Sequence, residues 1–253
     1  LLGSVYIRNN DETKDFSTWT IDPGVTILIN PGGSITVGSL FGDASLRMEG
    51  TAADPIVLDK VDAAAEPWRR IFVDGFSEAA HVLAHVELRR GGGAAGADDA
   101  AFVVGGNGQV TFDHVTIRDS ANAGLSAANG NLIVNQSTFT DNRKGIVLNG
   151  AKATVRNSVF TGNVEAAVEN RDANEVCIDA AGNYWGAASG PDDAGISDTS
   201  CNDGDRTNGG AGDGVSDGVL YWPWNSDADP TALLDRSTIS AGDKLWVVAS
   251  GVD

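Results

Sequence analysis

The sequence is poor in basic residues and in cysteine. Its 253 residues include 17 Lys and Arg against 35 Asp and Glu, which gives a formal net charge of −18. Nucleic acid and anionic membrane surfaces are polyanions that bind through clustered cations, so this composition argues against both as partners. The only cysteines are Cys177 and Cys201, which allow at most one disulfide within the chain.

Long apolar runs and long helix-forming runs are also missing. No transmembrane segment and no signal peptide is visible, so we expect no direct membrane insertion. No motif for an organic cofactor stands out, and none is expected. What the sequence does contain is Gly, Asn, Asp and Ser between short runs of β-branched and aromatic residues. This composition favours strands and turns.

Three segments of the chain align with one another. Residues 110–120, 132–142 and 153–163 match when superposed on their apolar positions, at spacings of 22 and then 21 residues. The shared columns are Phe112, Val134 and Val155; Ile117, Phe139 and Phe160; and Ser120, Asn142 and Asn163. A fixed period of this length indicates an array of stacked units, each too small to bury its own apolar side.

Each unit alternates apolar and polar residues, and it lacks the ten or more helix-forming residues that a helical repeat would need. The leucine ladder of a leucine-rich repeat is absent as well. Each unit is therefore predicted to be one coil of short strands, paired in parallel with the next coil at about 4.8 Å.

These repeats resemble the right-handed parallel β-helix of the pectate-lyase-like superfamily. Residues 182–191, GNYWGAASGP, and 209–224, GGAGDGVSDGVLYWPW, are similar to an element that closes such helices in secreted and surface-anchored proteins. The resemblance implies an all-β, single-stranded right-handed parallel β-helix with capping segments at both ends. We expect an N-terminal strand or cap over 1–20, the helix over 21–225 with its closing cap from about 176, and a tail over 226–253.

A surface location also follows from this resemblance. In a secreted chain Cys177 and Cys201 would form one disulfide, whereas in a cytosolic chain they would be two buried thiols. The resemblance favours the disulfide and an extracellular or cell-surface protein.

The best catalytic candidates are two aspartates of the central repeats. Asp119 and Asp141 should lie about one strand spacing apart, with Arg143 and Lys144 nearby. Such a pair could serve a glycosidase or a calcium-dependent lyase. The favoured alternative is that both aspartates occupy structural turns, because Asp suits such positions. The Asp, His-Gly and Arg-x-Lys signatures of the polygalacturonases in this superfamily are absent.

Two histidines occupy equivalent positions in adjacent repeats. His85 and His114 could bind a transition metal if one or two further ligands lay nearby. Strand alternation would direct Asp113 and Glu87 to the opposite face, which makes a simple pair of stacked rings the favoured interpretation.

The C-terminal part of the repeat region combines acidic and aromatic residues. Flexible Gly-rich backbone with closely spaced oxygens suits Ca²⁺, although an ordinary turn-rich loop is an equal alternative. The candidate calcium ligands are Asp203, Asp205, Asn208, Asp213 and Asp217. The aromatic residues, which we expect to plug the open end of the core rather than bind sugar, are Tyr184, Trp185, Tyr221, Trp222 and Trp224.

An apolar strand is predicted beyond this cap. Its central residues are Leu245, Trp246, Val247 and Val248. It could fold back on the helix or add to the open edge of a neighbour. The favoured function is thus a non-catalytic structural or adhesive protein, a surface or filament component that associates with itself or with other surface proteins. The alternatives are a polysaccharide lyase or glycoside hydrolase, or a glycan-binding module without chemistry.

Overall fold

The computed structural model describes residues 5–7, 17–38, 44–75, 80–93, 99–172, 176–193 and 208–228. These residues form three parallel sheets, and from β2 to β19 the chain visits the sheets in the repeating order B, C, A. Each turn is therefore one coil of a solenoid. In the described ranges no helix is long and apolar enough to cross a membrane.

Sheet A contains seven strands, named in chain order with the strands of the other sheets: β1 Val5–Ile7, β4 Ser34–Val37, β7 Arg70–Gly75, β10 Ala100–Gly106, β13 Ala123–Ala128, β16 Lys144–Asn149 and β19 Ala166–Asn170. Sheet B contains β2 Ser17–Ile21, β5 Ala44–Glu49, β8 His81–Ala84, β11 Gln109–Asp113, β14 Asn131–Asn135, β17 Lys152–Arg156, β20 Ile178–Asp179 and β23 Val219–Leu220. Sheet C contains β3 Thr26–Ile29, β6 Ile56–Lys60, β9 Val86–Arg89, β12 Thr116–Arg118, β15 Thr138–Thr140 and β18 Val159–Thr161. A small antiparallel pair, β21 Asp192–Asp193 and β22 Asn208–Gly209, lies outside the three sheets.

The predicted register is confirmed. Phe112 pairs with Val134, which in turn pairs with Val155, and the same holds for Ile117, Phe139 and Phe160. Side chains in these columns are almost completely buried. Because every second residue of a strand points inward, the inward columns of the three sheets stack along the axis and fill the core.

Aromatic rings continue this stacking toward the C-terminal end. The rings of Phe139 and Phe160 are stacked with centroids 5.2 Å apart, and Trp185 follows at 5.0 Å from Phe160. All three side chains are fully buried. The core is thus a continuous column in which each coil is covered by its neighbours.

Strands near both ends of the described chain pair with the sheets of the solenoid. Within the segment 1–20, strand β1 pairs in parallel with β4 of the same chain and β2 begins at Ser17. At the other end, β23 pairs with β20 as the last strand of sheet B. The tail from residue 229 onward lies outside the described part of the chain.

Candidate functional site

Asp119 and Asp141 stand at the corner where sheet C leads into sheet A. Their φ angles are 56° and 55°, and Gly162 continues the column with a φ of 72°. The Asp119 amide donates to the Thr140 carbonyl at 3.2 Å, which places the two aspartates in register on adjacent coils. Aspartate is among the few residues that adopt this left-handed conformation readily. The left-handed backbone at this corner explains why aspartate occurs at both positions.

The carboxylates at this corner contact local groups. Asp119 Oδ2 accepts a hydrogen bond from Arg118 Nη1 at 2.6 Å, and Asp141 Oδ2 accepts one from the Thr140 hydroxyl at 3.2 Å. A Cβ at Gly162 would lie 2.5 Å from Asp141 Oδ1, so the carboxylate lies directly over the next corner. The two aspartates therefore belong to a ladder of turns along the edge of the solenoid.

The residue after each of these corners turns inward and forms a second ladder. Asn142 Oδ1 accepts the Ser120 amide at 3.0 Å, and Asn163 Oδ1 accepts the Asn142 amide at 3.3 Å. Asp213 ends this ladder, because its carboxylate accepts the amides of Gly162 and Asn163 at 3.0 and 2.9 Å and the Asn163 side chain at 2.7 Å. Buried amides of successive coils are satisfied in this way.

Arg143 and Lys144 lie at the other side of the same corner, at the start of β16. Arg143 Nε donates to Glu165 at 2.6 Å, while Lys144 Nζ contacts Glu169 at 2.7 Å and Glu165 at 3.4 Å. Arg171 Nε donates to Glu169 at 3.2 Å. The five side chains form a continuous ion-pair network on the outer face of sheet A.

This network keeps both glutamates ionised. The hydrogen bond from Arg143 holds the pKa of Glu165 below its ordinary value. Burial alone would raise the pKa of Glu169, but hydrogen bonds from Lys144 and Arg171 outweigh that effect and lower it. Neither glutamate is therefore poised to donate a proton near neutral pH.

Two depressions adjoin the network. The larger is a cleft of about 480 Å³, lined by Lys144, Glu165, Ala166, Glu169, Asp192, Gly214, Val215, Ser216 and Asp217. The smaller is a cavity of about 80 Å³, lined by Asn122, Ala123, Arg143, Lys144 and Arg171. Lys144 lines both, so the two depressions are neighbours on the surface of the last coils.

The network and the cleft contain residues that the sequence analysis did not single out, namely Glu165, Glu169, Arg171, Asp192 and Ser216. One signal was available. Extending the repeat alignment pairs Val147 with Glu169 at a spacing of 22 residues, and these two residues are in register between β16 and β19. A charged residue replacing an apolar one within a column marks an outward position.

His85 and His114 form the predicted stack, with ring centroids 4.6 Å apart and planes at 28°. Nearly parallel rings direct their ring nitrogens along parallel lines instead of toward a common point, which is unsuitable for chelating one ion. The expected orientation of Asp113 was wrong, because its Oδ1 lies 3.2 Å from His114 Nδ1. The left-handed φ of 54° at His114 interrupts strand alternation at this corner.

The candidate calcium ligands are only partly described. Asp203 and Asp205 lie outside the described residues, Asn208 is paired through its backbone in β22, and Asp217 lines the cleft. The Asp213 carboxylate accepts the three hydrogen bonds given above. Within the described ranges no group of three or more His, Cys, Asp or Glu side chains could hold a metal ion.

The predicted cap aromatics occupy different environments. Trp185 and Tyr221 are buried in the core, and Trp224 packs against it. Tyr184 is half-buried, whereas Trp222 is partly exposed and meets Trp224 edge-on at 4.6 Å. Most of this cluster thus closes the end of the core.

Two further predictions fall at or beyond the limits of the described chain. Cys177 is disulfide-bonded, but Cys201 lies outside the described residues, so the pairing between them stays a prediction. The assembly strand Leu245, Trp246, Val247 and Val248 also lies outside them.

Comparison with known proteins bears on the fold. Residues 87–182 match a family model described as a right handed beta helix region. No curated protein and no solved structure matches the chain. The matched stretch covers the coils from β9 to β20, which contribute strands to all three parallel sheets. The described residues fold as a right-handed parallel β-helix, an architecture consistent with the pectate-lyase-like superfamily.

Proposed function

We propose that this protein is a non-catalytic extracellular rod that serves as a structural or adhesive component of a cell surface or filament. The observation behind this proposal is that the charged side chains of the central coils bond to one another and to the turns. Asp119 and Asp141 occupy left-handed corners, and Arg143 and Lys144 are paired with Glu165 and Glu169. A catalytic acid or base needs a pKa matched to its task and a free path to substrate.

The proposed location rests on the disulfide at Cys177. Disulfides persist mainly in oxidising compartments, such as the extracellular space. The formal net charge of −18 agrees with a soluble surface exposed to cations, and binding of Ca²⁺ by the acidic C-terminal segment is part of the proposal. Self-association through the apolar segment 245–248 is proposed for assembly.

A glycan-binding module is the second candidate, supported by the cleft on sheet A. Its volume of about 480 Å³ lies in the range of ordinary ligand sites. Its lining mixes one cation, several carboxylates and the Ser216 hydroxyl, groups that can hydrogen-bond to sugar hydroxyls. A polysaccharide lyase or glycoside hydrolase using Asp119, Asp141, Arg143 and Lys144 is the competing enzymatic class.

A depolymerisation assay separates these classes. Uronate-containing and neutral glycans are incubated with the protein, with and without Ca²⁺, and both unsaturated products and new reducing ends are measured. We expect no turnover on any of them. The matched variant is Asp141→Asn, because asparagine also tolerates the left-handed corner and preserves the fold. Turnover by the parent that is lost in this variant while the melting temperature is kept would overturn the proposal and identify an enzyme.

A further inference from the structure

Four asparagines of this chain are followed directly by glycine, namely Asn107, Asn129, Asn149 and Asn208. Asparagine is one of the thermolabile residues of proteins, because a backbone nitrogen can attack its side-chain amide. Glycine hinders this attack least, since it has no Cβ. The first three lie at or just after the ends of β10, β13 and β16, where sheet A leads into sheet B. The same dipeptide therefore recurs at one corner of three successive coils.

The side chain of Asn149 is not engaged by the fold. The amide groups of Asn142 and Asn163 are buried and donate to backbone carbonyls at 3.0 and 2.9 Å. Asn149 is exposed, and in the described part of the chain its side chain has no hydrogen-bond partner. Its amide group can therefore turn toward its own backbone.

The backbone nitrogen of Gly150 is free as well. Among the described residues it donates no hydrogen bond, although the neighbouring Asn149 carbonyl accepts the Asn129 amide at 3.0 Å. Gly150 is half-buried and has a φ of 74°. A Cβ placed there would meet side-chain atoms first, Asn129 Oδ1 at 2.9 Å and Asp172 Oδ2 at 3.7 Å. Side chains can move aside, so the backbone at Gly150 has room to rearrange.

The two preceding coils confine this corner more tightly. A Cβ at Gly130 would lie 2.8 and 3.1 Å from the backbone carbonyl oxygens of Gly108 and Gly106. The side chain of Asn129 extends over Gly150 of the next coil, and its own φ is 64°. Gly108, which follows the first of these asparagines, is buried. Burial limits the access of hydroxide to its amide.

We propose that Asn149 and Gly150 form a site of spontaneous modification, at which Asn149 converts to aspartate and isoaspartate in the folded protein. The Gly150 nitrogen attacks Cγ of Asn149, so that a C–N bond forms and the Cγ–Nδ2 bond breaks. The proton of the attacking nitrogen leaves with the side-chain amino group as ammonia, which yields a cyclic imide. Water, the only co-reactant, then opens the imide at either of its carbonyl carbons.

The reaction changes both charge and backbone at this corner. Either product adds a negative charge to a chain whose formal net charge is −18. Isoaspartate also routes the main chain through the side-chain carbons of residue 149, directly before the fully buried Ala151. A rod without catalysis and an enzyme could both carry such a site, so its test is independent of the depolymerisation assay.

Site-resolved mass spectrometry of the full chain tests this proposal. The protein is kept at neutral and at mildly alkaline pH and then digested, and the peptides that carry Asn107, Asn129 and Asn149 are quantified over time. We expect Asn149 to convert about tenfold faster than the other two, a ratio that needs a barrier difference of only about 1.4 kcal/mol. The rate should rise with pH, because hydroxide removes the proton of the attacking nitrogen.

Two controls separate the effect of the fold from that of the dipeptide. In the chain unfolded by urea the three sites should react at similar rates, because each is followed by glycine. Gly150→Asn should slow the conversion of Asn149 about tenfold, since a side chain hinders the attack while asparagine still tolerates the left-handed corner. Gly24→Asn is the matched control, because Gly24 has a φ of 77° and a Cβ there would lie 3.6 Å from the nearest atom, Asp54 Cβ.

The outcomes that would overturn the proposal are equal rates at the three sites in the folded chain, no conversion of Asn149 in the folded chain, or an unchanged rate in Gly150→Asn. Melting temperatures show whether both variants are folded. The comparison of the folded with the unfolded parent decides the question without either variant.

Discussion

At the scale of single residues, the corners decide which side chains the solenoid accepts. His85, His114, Gln136 and Asn157 differ in chemistry, yet all have a φ between 47° and 54° at the same corner of successive coils. This region disfavours β-branched and bulky residues. The backbone conformation of a corner therefore limits which residue types can occur there. A residue type at a corner is for this reason weak evidence of function.

The buried His81 makes the folding stability depend on pH. His81 is completely buried in β8, its Nδ1 accepts the Leu46 amide at 3.1 Å, and its Nε2 has no partner among the described residues. Burial lowers its pKa to about 4. The folded protein therefore resists protonation of this ring, whereas the unfolded chain takes up the proton near pH 6.5.

We predict that folding stability falls as the pH drops from about 6.5 to about 4 through His81. Between about pH 7 and about pH 5 the loss should reach about 2 kcal/mol, because the unfolded state binds the proton and the folded state does not. The His81→Gln variant cannot titrate and should lose this part of the pH dependence. Urea unfolding at both pH values measures it, and an unchanged pH dependence in the variant would contradict the assignment.

At the scale of elements, polar ladders join the coils beside the apolar core. The Ser120, Asn142 and Asn163 ladder runs from coil to coil and ends on Asp213, which comes from a segment 50 residues beyond Asn163. Without Asp213 the last amides of the ladder would lack acceptors, and each buried amide without an acceptor costs free energy. The closing segment is thus part of what stabilises the last coils.

We predict that Asp213→Ala lowers the free energy of unfolding by about 2–4 kcal/mol, because three N–H donors lose their acceptor. Asp213→Asn should be intermediate, since the amide keeps one acceptor oxygen. Asp217→Ala is the matched control, because this exposed side chain should contribute no more than about 0.5 kcal/mol. Denaturant unfolding measures all three. Equal stability of Asp213→Ala and Asp217→Ala would be inconsistent with the role of Asp213 in the ladder.

At the scale of the whole molecule, the described coils stack in parallel along one axis, and the C-terminal end of this stack is covered. Trp185, Tyr221 and Trp224 cover the core at the C-terminal end. A solenoid needs such covers because a terminal coil otherwise exposes apolar surface and unpaired strand edges. The predicted apolar segment 245–248 follows this cover in the sequence and lies outside the described residues.

Self-association should depend on that segment. We predict that deleting residues 244–253 abolishes assembly of the parent protein, whereas deleting only 249–253 leaves it intact because Leu245 to Val248 remain. Size-exclusion chromatography with light scattering measures the mass of each form, and melting temperatures check that both deletions are folded. A monomeric parent, or assembly that survives the larger deletion, would remove this idea.

Much of the fold follows from local sequence. Phe112, Val134 and Val155 reveal the period, and the pairing of the strands reproduces it without a shift. Asp119 and Asp141 could also be placed at one corner, because a fixed repeat carries each position to the next coil. The ion-pair network was harder to foresee. It depends on which outward side chains reach across coils, and rotamers and neighbours decide that.

The sequence by itself determined the repeat, the strand register and the parallel stacking, because apolar spacing dictates which residues can share a column. Only the tertiary structure decided which polar groups meet. Lys144 contacts Glu169 across 25 residues, and Asp213 reaches Asn163 across 50. Neither of these sequence separations is a multiple of the repeat of 21 or 22 residues. The first contact depends on how far a side chain reaches, and the second depends on the closing segment that returns to the stack.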